Sequence, residues 1–306
     1  MRVSELAPAD LVYRLERGDL LIRISPFVVR IQSSVKSLAK NLALMYGEFQ
    51  LGDTKEFADF HVRLAPPSGL RRWIKPQVLF YFDGIPAFKP LPLGQALPML
   101  EWGLNWCVAA HCHQYLVIHA AVVEKNGKAV VLPAPPGSGK STLCAGLVCR
   151  GWRLLSDELA LYDMDSGLIY GMARPVNLKN ASIDVIKSFA PGVVMSDPVA
   201  DTTKGTVALM QPPSASVQQV LSSALPARIV LPKYLPDTPF SLELNSSAHT
   251  FLLIAEQSFN YDILGVHGFQ AVGELIDQCD CYRITYSDLE AAVVALDRLV
   301  AECVHD

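Results

Sequence analysis

Residues 134–142, Ala134-Pro135-Pro136-Gly137-Ser138-Gly139-Lys140-Ser141-Thr142, constrain this chain more than any other segment. The apolar run at 128–132 reads as a strand, residues 140–150 read as a helix, and Gly151 stands where a helix-ending glycine belongs. A strand, a loop of small residues and a helix opening on Gly-Lys-Ser-Thr meet the physical needs of a phosphate-binding loop. Small residues let successive backbone N–H groups turn toward one anion, and the helix N-terminus adds its positive dipole end. In that arrangement Lys140 reaches the β- and γ-phosphates of a nucleoside triphosphate, and the Ser141 hydroxyl ligates Mg²⁺. Ala134 replaces the first glycine of the pattern, a departure tolerated where φ stays negative. Residues Ala134, Pro135, Pro136, Gly137, Ser138, Gly139, Lys140, Ser141 and Thr142 are thus expected to hold ATP with Mg²⁺.

Two acidic residues follow the helix and a short strand at 153–156. Asp157-Glu158 at that strand's end reads either as an exposed acidic turn or as a site that places Asp157 beside the γ-phosphate. There Asp157 would act as general base for an attacking hydroxyl. His119 lies on the strand expected at 116–124, before the Asn126-Gly127 hairpin signal. A strand histidine of this kind is either packed in the core or part of the chemistry.

The chain's 306 residues suffice for one large domain or two ordinary ones. Prolines 86, 90, 92 and 98 mark a boundary near 90–115, giving an N-terminal α/β region, 1–110, and a second domain, 111–306. The first region reads as strands at 20–33 (broken at Ser25-Pro26), 62–64 and 77–82, with one helix at 35–46. A helix is expected at 97–113. Further strands are expected at 168–172, 227–231, 241–244 and 283–285. Further helices are expected at 182–189, 247–257, 266–278 and 287–303.

Net charge is −4 with no block of like charges, which excludes a nucleic-acid footprint. The first residues lack the basic and then apolar run of a signal peptide. The most apolar helical stretch, 96–110, is broken by Pro98, Glu101 and Asn105, so no membrane partner is expected and the cytoplasm is the expected location. Seven scattered cysteines read as reduced, buried apolar residues. Cys107, His111, Cys112 and His113 share a helix without a second ligand pair at zinc spacing.

Together these segments resemble the catalytic domain of the bacterial HPr kinase/phosphorylase family, and more narrowly the HPr-kinase-related kinase A group. The resemblance is carried by His119-Ala120, the Asn126-Gly127 hairpin, the loop from Ala134 to Ser141, and Ser156-Asp157-Glu158. It implies a P-loop kinase domain of the HPr kinase / phosphoenolpyruvate carboxykinase type: α/β, a mixed sheet with flanking helices, preceded by the smaller N-terminal region. It also implies Asp157 as the base for a seryl hydroxyl, His119 as its hydrogen-bonding partner, Glu158 assisting metal or base, and a homo-oligomer. The family's later Glu-x-Arg-Gly-x-Gly signature is absent. Its nearest counterpart runs from Ala173 to Asn180, where Arg174 or Lys179 would contact phosphates. Lys233 reads either as a basic loop facing the γ-phosphate or as a solvated turn.

The function expected is an ATP- and Mg²⁺-dependent kinase acting on a serine of a protein or peptide. The alternatives are a small-molecule kinase and a nucleotide-binding regulatory protein without transfer chemistry.

Overall fold

The computed structural model describes residues 1–301; Cys303, with which the last expected helix ends, lies outside them. The architecture is mixed α/β, with four sheets and helices packed on them.

The first six-stranded sheet runs Leu20–Ile24, Phe27–Ser33, Phe60–Ala65, Gln77–Phe82, Ile85–Pro86, with Leu91–Pro92 on the flank of Gln77–Phe82. Burial alternates along Phe27–Ser33, the period of a sheet with one covered face. Helices Lys36–Met45 and Ala96–His111 match the expected segments and contribute Leu38, Leu42, Leu100 and Leu104 to that core. A further helix, Pro8–Arg17, was not legible in the sequence. Its buried residues are only Leu11 and Leu15, one turn apart, so it has a two-residue apolar stripe. Pro8 at its first turn and Gly18 in the left-handed conformation at its end delimit it.

The sheet that carries the glycine-rich loop has six strands in the order Arg153–Ser156, Ala120–Lys125, Lys128–Pro133, Leu225–Tyr234, Asp280–Tyr286, Ser241–Leu244. Lys128–Pro133, Leu225–Tyr234 and Asp280–Tyr286 pair in parallel, and every other pairing in the sheet is antiparallel. Alternate side chains of its hairpin go to opposite cores. Ala121, Val123, Val130 and Leu132 pack with helices Lys140–Cys149 and Leu289–Ala301. Ala120, Val122, Ala129 and Val131 pack with Ser247–Gln257 and Val266–Asp277. Both faces are covered, hence the near-continuous apolar sequence of these strands.

The single strand expected at 116–124 is two. Tyr115–Ile118 and Ala120–Lys125 part at His119, whose backbone N–H donates to the Gln257 carbonyl at 2.8 Å. Tyr115–Ile118 joins Ala160–Asp163 and Ile169–Tyr170 in a separate sheet. A last small sheet orders Val176–Lys179, Gly205–Met210 and Val199–Thr202. The core of the first sheet extends to Val117, Leu161, Met172, Leu209 and Val217, so the N-terminal region packs on the later one. Among the described residues no helix is long and apolar enough to cross a membrane.

Candidate functional site

Strand Lys128–Pro133 delivers the chain into the glycine-rich loop, and helix Lys140–Cys149 begins as the loop ends. Gly137 and Gly139 take φ of 88° and 91°, a conformation L side chains rarely adopt. Ala134 is buried and is not among the positive-φ residues, so its methyl is accommodated. Two tyrosines from the parallel strands brace the loop. The Tyr286 hydroxyl donates to the Gly139 carbonyl at 3.1 Å, and the Tyr234 N–H donates to the Ser138 carbonyl at 2.9 Å. Lys233, next to Tyr234, lies on strand Leu225–Tyr234 opposite Thr285 rather than in a loop.

Lys140 is 7% exposed and its ammonium has no hydrogen-bond partner. Burial lowers its proton affinity, against the pull of Glu158 and Asp157. Asp157 sits at the end of strand Arg153–Ser156 and is 4% exposed, so the acidic turn is buried, not solvated. Its Oδ2 accepts from the Asn177 backbone N–H at 3.0 Å, and Oδ1 has no hydrogen-bond partner. Burial and the Glu158 charge raise the Asp157 carboxyl well above its ordinary range. Glu158 goes the other way. Burial would raise it, yet His119 and the ammonium groups of Lys140, Lys179 and Lys204 hold it low. Two adjacent carboxyls thus divide into one proton acceptor of raised basicity and one fixed anion.

His119 contacts Glu158, not Asp157. Its Nε2 lies 3.4 Å from Glu158 Oε2, while Nδ1 meets Gln257 Oε1 at 3.2 Å and the ring tilts against Phe259. The break between the two strands is what aims the ring: strand alternation is interrupted where Gln257 takes the backbone N–H. Lys179 Nζ stands 3.9 Å from Glu158 Oε1.

Arg174 does not reach the loop as expected. Its buried guanidinium donates to Glu101 Oε2 at 3.1 Å and to Asn105 Oδ1, both on helix Ala96–His111. Glu101 also accepts from the Tyr46 hydroxyl, closing a buried network. Burial raises the Glu101 carboxyl against the Arg174 charge. Glu101, Arg174, Asp157, Glu158 and Asn177 line one small cleft. The N-terminal region therefore forms the wall behind the acidic pair.

Buried atoms without a hydrogen-bond partner gather at this place: Ser138 Oγ, Lys140 Nζ, Asp157 Oδ1, Glu158 Oε1 and Asn177 Oδ1. Such groups are costly unless ordered water or a ligand satisfies them. Oxygen donors on Ser141 and Glu158 suit a hard divalent cation such as Mg²⁺. Among the described residues no cluster of three or more His, Cys, Asp or Glu could hold a metal ion. Cys107 and His111 do not form a site: Cys107 is buried, and the His111 ring stacks on Phe82 at 4.7 Å and meets Trp106 edge-on. Among the described residues the cysteines are free thiols, four of them buried.

Sequence reading missed Lys204, Asn177, Gln257 and Glu101. Only Lys204-Gly205 carries a signal, as a turn.

A protein-family model described as "SynChlorMet cassette protein ScmC" matches residues 96–171, the segment with the glycine-rich loop and the acidic pair. Comparison with curated proteins gives no match. Among solved structures, the HPr(Ser) kinase/phosphatase from Coxiella burnetii matches at 13% identity and a TM-score of 0.24, covering 61% of this chain and 98% of that one. Likeness at this level transfers neither site nor activity.

Proposed function

We propose that the chain binds a nucleoside triphosphate at the Ala134–Thr142 loop and transfers its terminal phosphoryl group to a hydroxyl. The observation that carries this reading is the buried, unpartnered Lys140 ammonium facing Asp157 and Glu158 at the N-terminus of a helix entered through a glycine-rich loop. Loop N–H groups and the Lys140 ammonium hold the β- and γ-phosphates. Ser141 and Glu158 would hold Mg²⁺, which supplies charge neutralisation on the phosphate oxygens when bound, leaving Asp157 free to take a proton.

Asp157 Oδ1 accepts the hydroxyl proton as the acceptor oxygen bonds the γ-phosphorus and the bond to the β,γ-bridging oxygen breaks. The raised basicity of Asp157 fits it to that step, and such a base typically contributes ~10²–10⁴-fold. His119 keeps Glu158 in place and ionised beside it. The acceptor class proposed is a serine of a protein or peptide; a small molecule is the alternative acceptor. A nucleotide-binding role without transfer is favoured by one feature, the sequestration of Arg174 by Glu101 and Asn105.

Incubation with Mg²⁺ and γ-labelled ATP in a lysate of the source cells tests the reading. A labelled product should vanish in Asp157→Asn while nucleotide binding persists. Nucleotide binding with no labelled product would leave the non-transfer role.

A further inference from the structure

Lys179 stands beside the acidic pair, and one asparagine ties its strand to the turn that carries Lys204. Lys179 ends strand Val176–Lys179, and Asn180 beside it takes a positive φ of 51°. The Asn180 backbone N–H donates to the Thr206 carbonyl at 2.8 Å, and its Oδ1 accepts from Thr206 N–H at 3.1 Å. Thr206 follows the turn that carries Lys204. There Thr202 Oγ1 accepts from the Lys204 N–H at 3.1 Å and donates to the Gly205 carbonyl at 2.6 Å. Gly205 has φ of +84°, and a Cβ there would meet Asn180 Oδ1 at 2.4 Å, so only glycine lets the turn close on Asn180.

Helix Ala96–His111 and the residue before it hold the same turn from behind. Gln95 Nε2 donates to the Asp201 carbonyl at 3.0 Å, and the Lys204 ammonium lies 5.2 Å from the Trp102 ring centroid. Trp102 adjoins Glu101, the residue that holds Arg174.

Burial lowers the proton affinity of Lys204 and the Lys179 charge adds to that, while the Glu158 and Asp157 charges oppose it. Holding these cations together opposes their mutual repulsion, and Glu158, already shared with His119 and Lys179, offsets it only in part. A polyanion brought between them would complete the balance. The loop amides and the helix N-terminus already serve the inner phosphates, and the acidic pair marks where the acceptor meets the outermost one. Resting on the nucleotide-binding reading above, we propose that Lys204 contacts the terminal phosphoryl group of the bound triphosphate. It supplies the cation that Arg174, tied to Glu101, does not. Residues 1–110 acquire a task from this: their helix holds Arg174 away and Lys204 in place.

The contact exists only with a triphosphate, which sets the test. Calorimetric titration of Mg·ATP and Mg·ADP is carried out on wild type, Lys204→Ala and Lys204→Arg. Lys204→Ala should weaken ATP binding roughly tenfold, the scale of one charge-assisted hydrogen bond at a partly solvated site, and leave ADP affinity unchanged. Lys204→Arg should restore most of the ATP affinity, which a change of fold would not allow. Equal weakening of ATP and ADP, or no change in either, overturns the assignment of Lys204 while leaving the nucleotide site standing. Failure of wild type to bind either nucleotide overturns both.

Discussion

Alanine at Gly139 and at Gly137 should have unequal effects, and the difference is set by what each added methyl meets. Both glycines have φ near +90°, where a non-glycine residue costs on the order of 1–3 kcal/mol. A Cβ at Gly137 meets nothing within 4 Å, so strain is the whole cost. A Cβ at Gly139 would lie 2.7 Å from the Tyr286 hydroxyl and 2.8 Å from Tyr234 Cβ. The Tyr286 hydroxyl can withdraw, at the expense of its bond to the Gly139 carbonyl, about 0.5–1.5 kcal/mol. Tyr234 Cβ cannot withdraw without its strand, because the adjacent N–H is bonded to Ser138. Gly139→Ala should therefore lose at least about 1–2 kcal/mol more than Gly137→Ala, with weaker nucleotide binding as the loop is pushed off the tyrosines. Urea unfolding of both variants measures the difference. Equal losses would refute the bracing role given to Tyr234 and Tyr286.

Asp157→Asn should stabilise the ligand-free protein. Because the folded carboxyl is raised, ionising it costs stability that is absent below its unfolded value of about 4 and complete above the raised one. The gap in Tm between Asp157→Asn and wild type should widen from pH 4 to pH 7; a constant gap sinks the assignment. Glu158 contributes with the opposite sign, stability lost as pH falls through its lowered value, and the subtraction leaves it largely unchanged. Glu101→Ala removes the carboxylate from a buried guanidinium and should cost about 3 kcal/mol in urea unfolding, whereas a loss below about 1 kcal/mol would show Asn105 and the backbone to suffice.

The loop, its strand and its helix were legible because glycine at positive φ and Lys-Ser-Thr at a helix start are local requirements, written in consecutive residues. Asp157 and Glu158 were legible as a pair, but their burial was not, since it depends on Asn177 and on the wall formed by helix Ala96–His111. His119 was found and given the wrong neighbour. Its aim follows from a strand break made by Gln257, more than a hundred residues away in sequence. Arg174 was misplaced for a similar reason: its ion-pair partner lies in the N-terminal region, and no spacing rule connects Glu101 to it. The strands of the small sheet that carries Lys179 escaped notice because they are short and interrupted by turns at Asn180, Asp201 and Gly205.

The central claim, a triphosphate site built on Lys140, is tested most directly by calorimetric binding of Mg·ATP to wild type and Lys140→Ala. Wild type should bind with one site per chain, and Lys140→Ala should lose affinity for both ATP and ADP by roughly 10–100-fold, the worth of a charged hydrogen bond in a buried setting. Binding by wild type that is unchanged in Lys140→Ala, or no binding by wild type, would contradict it.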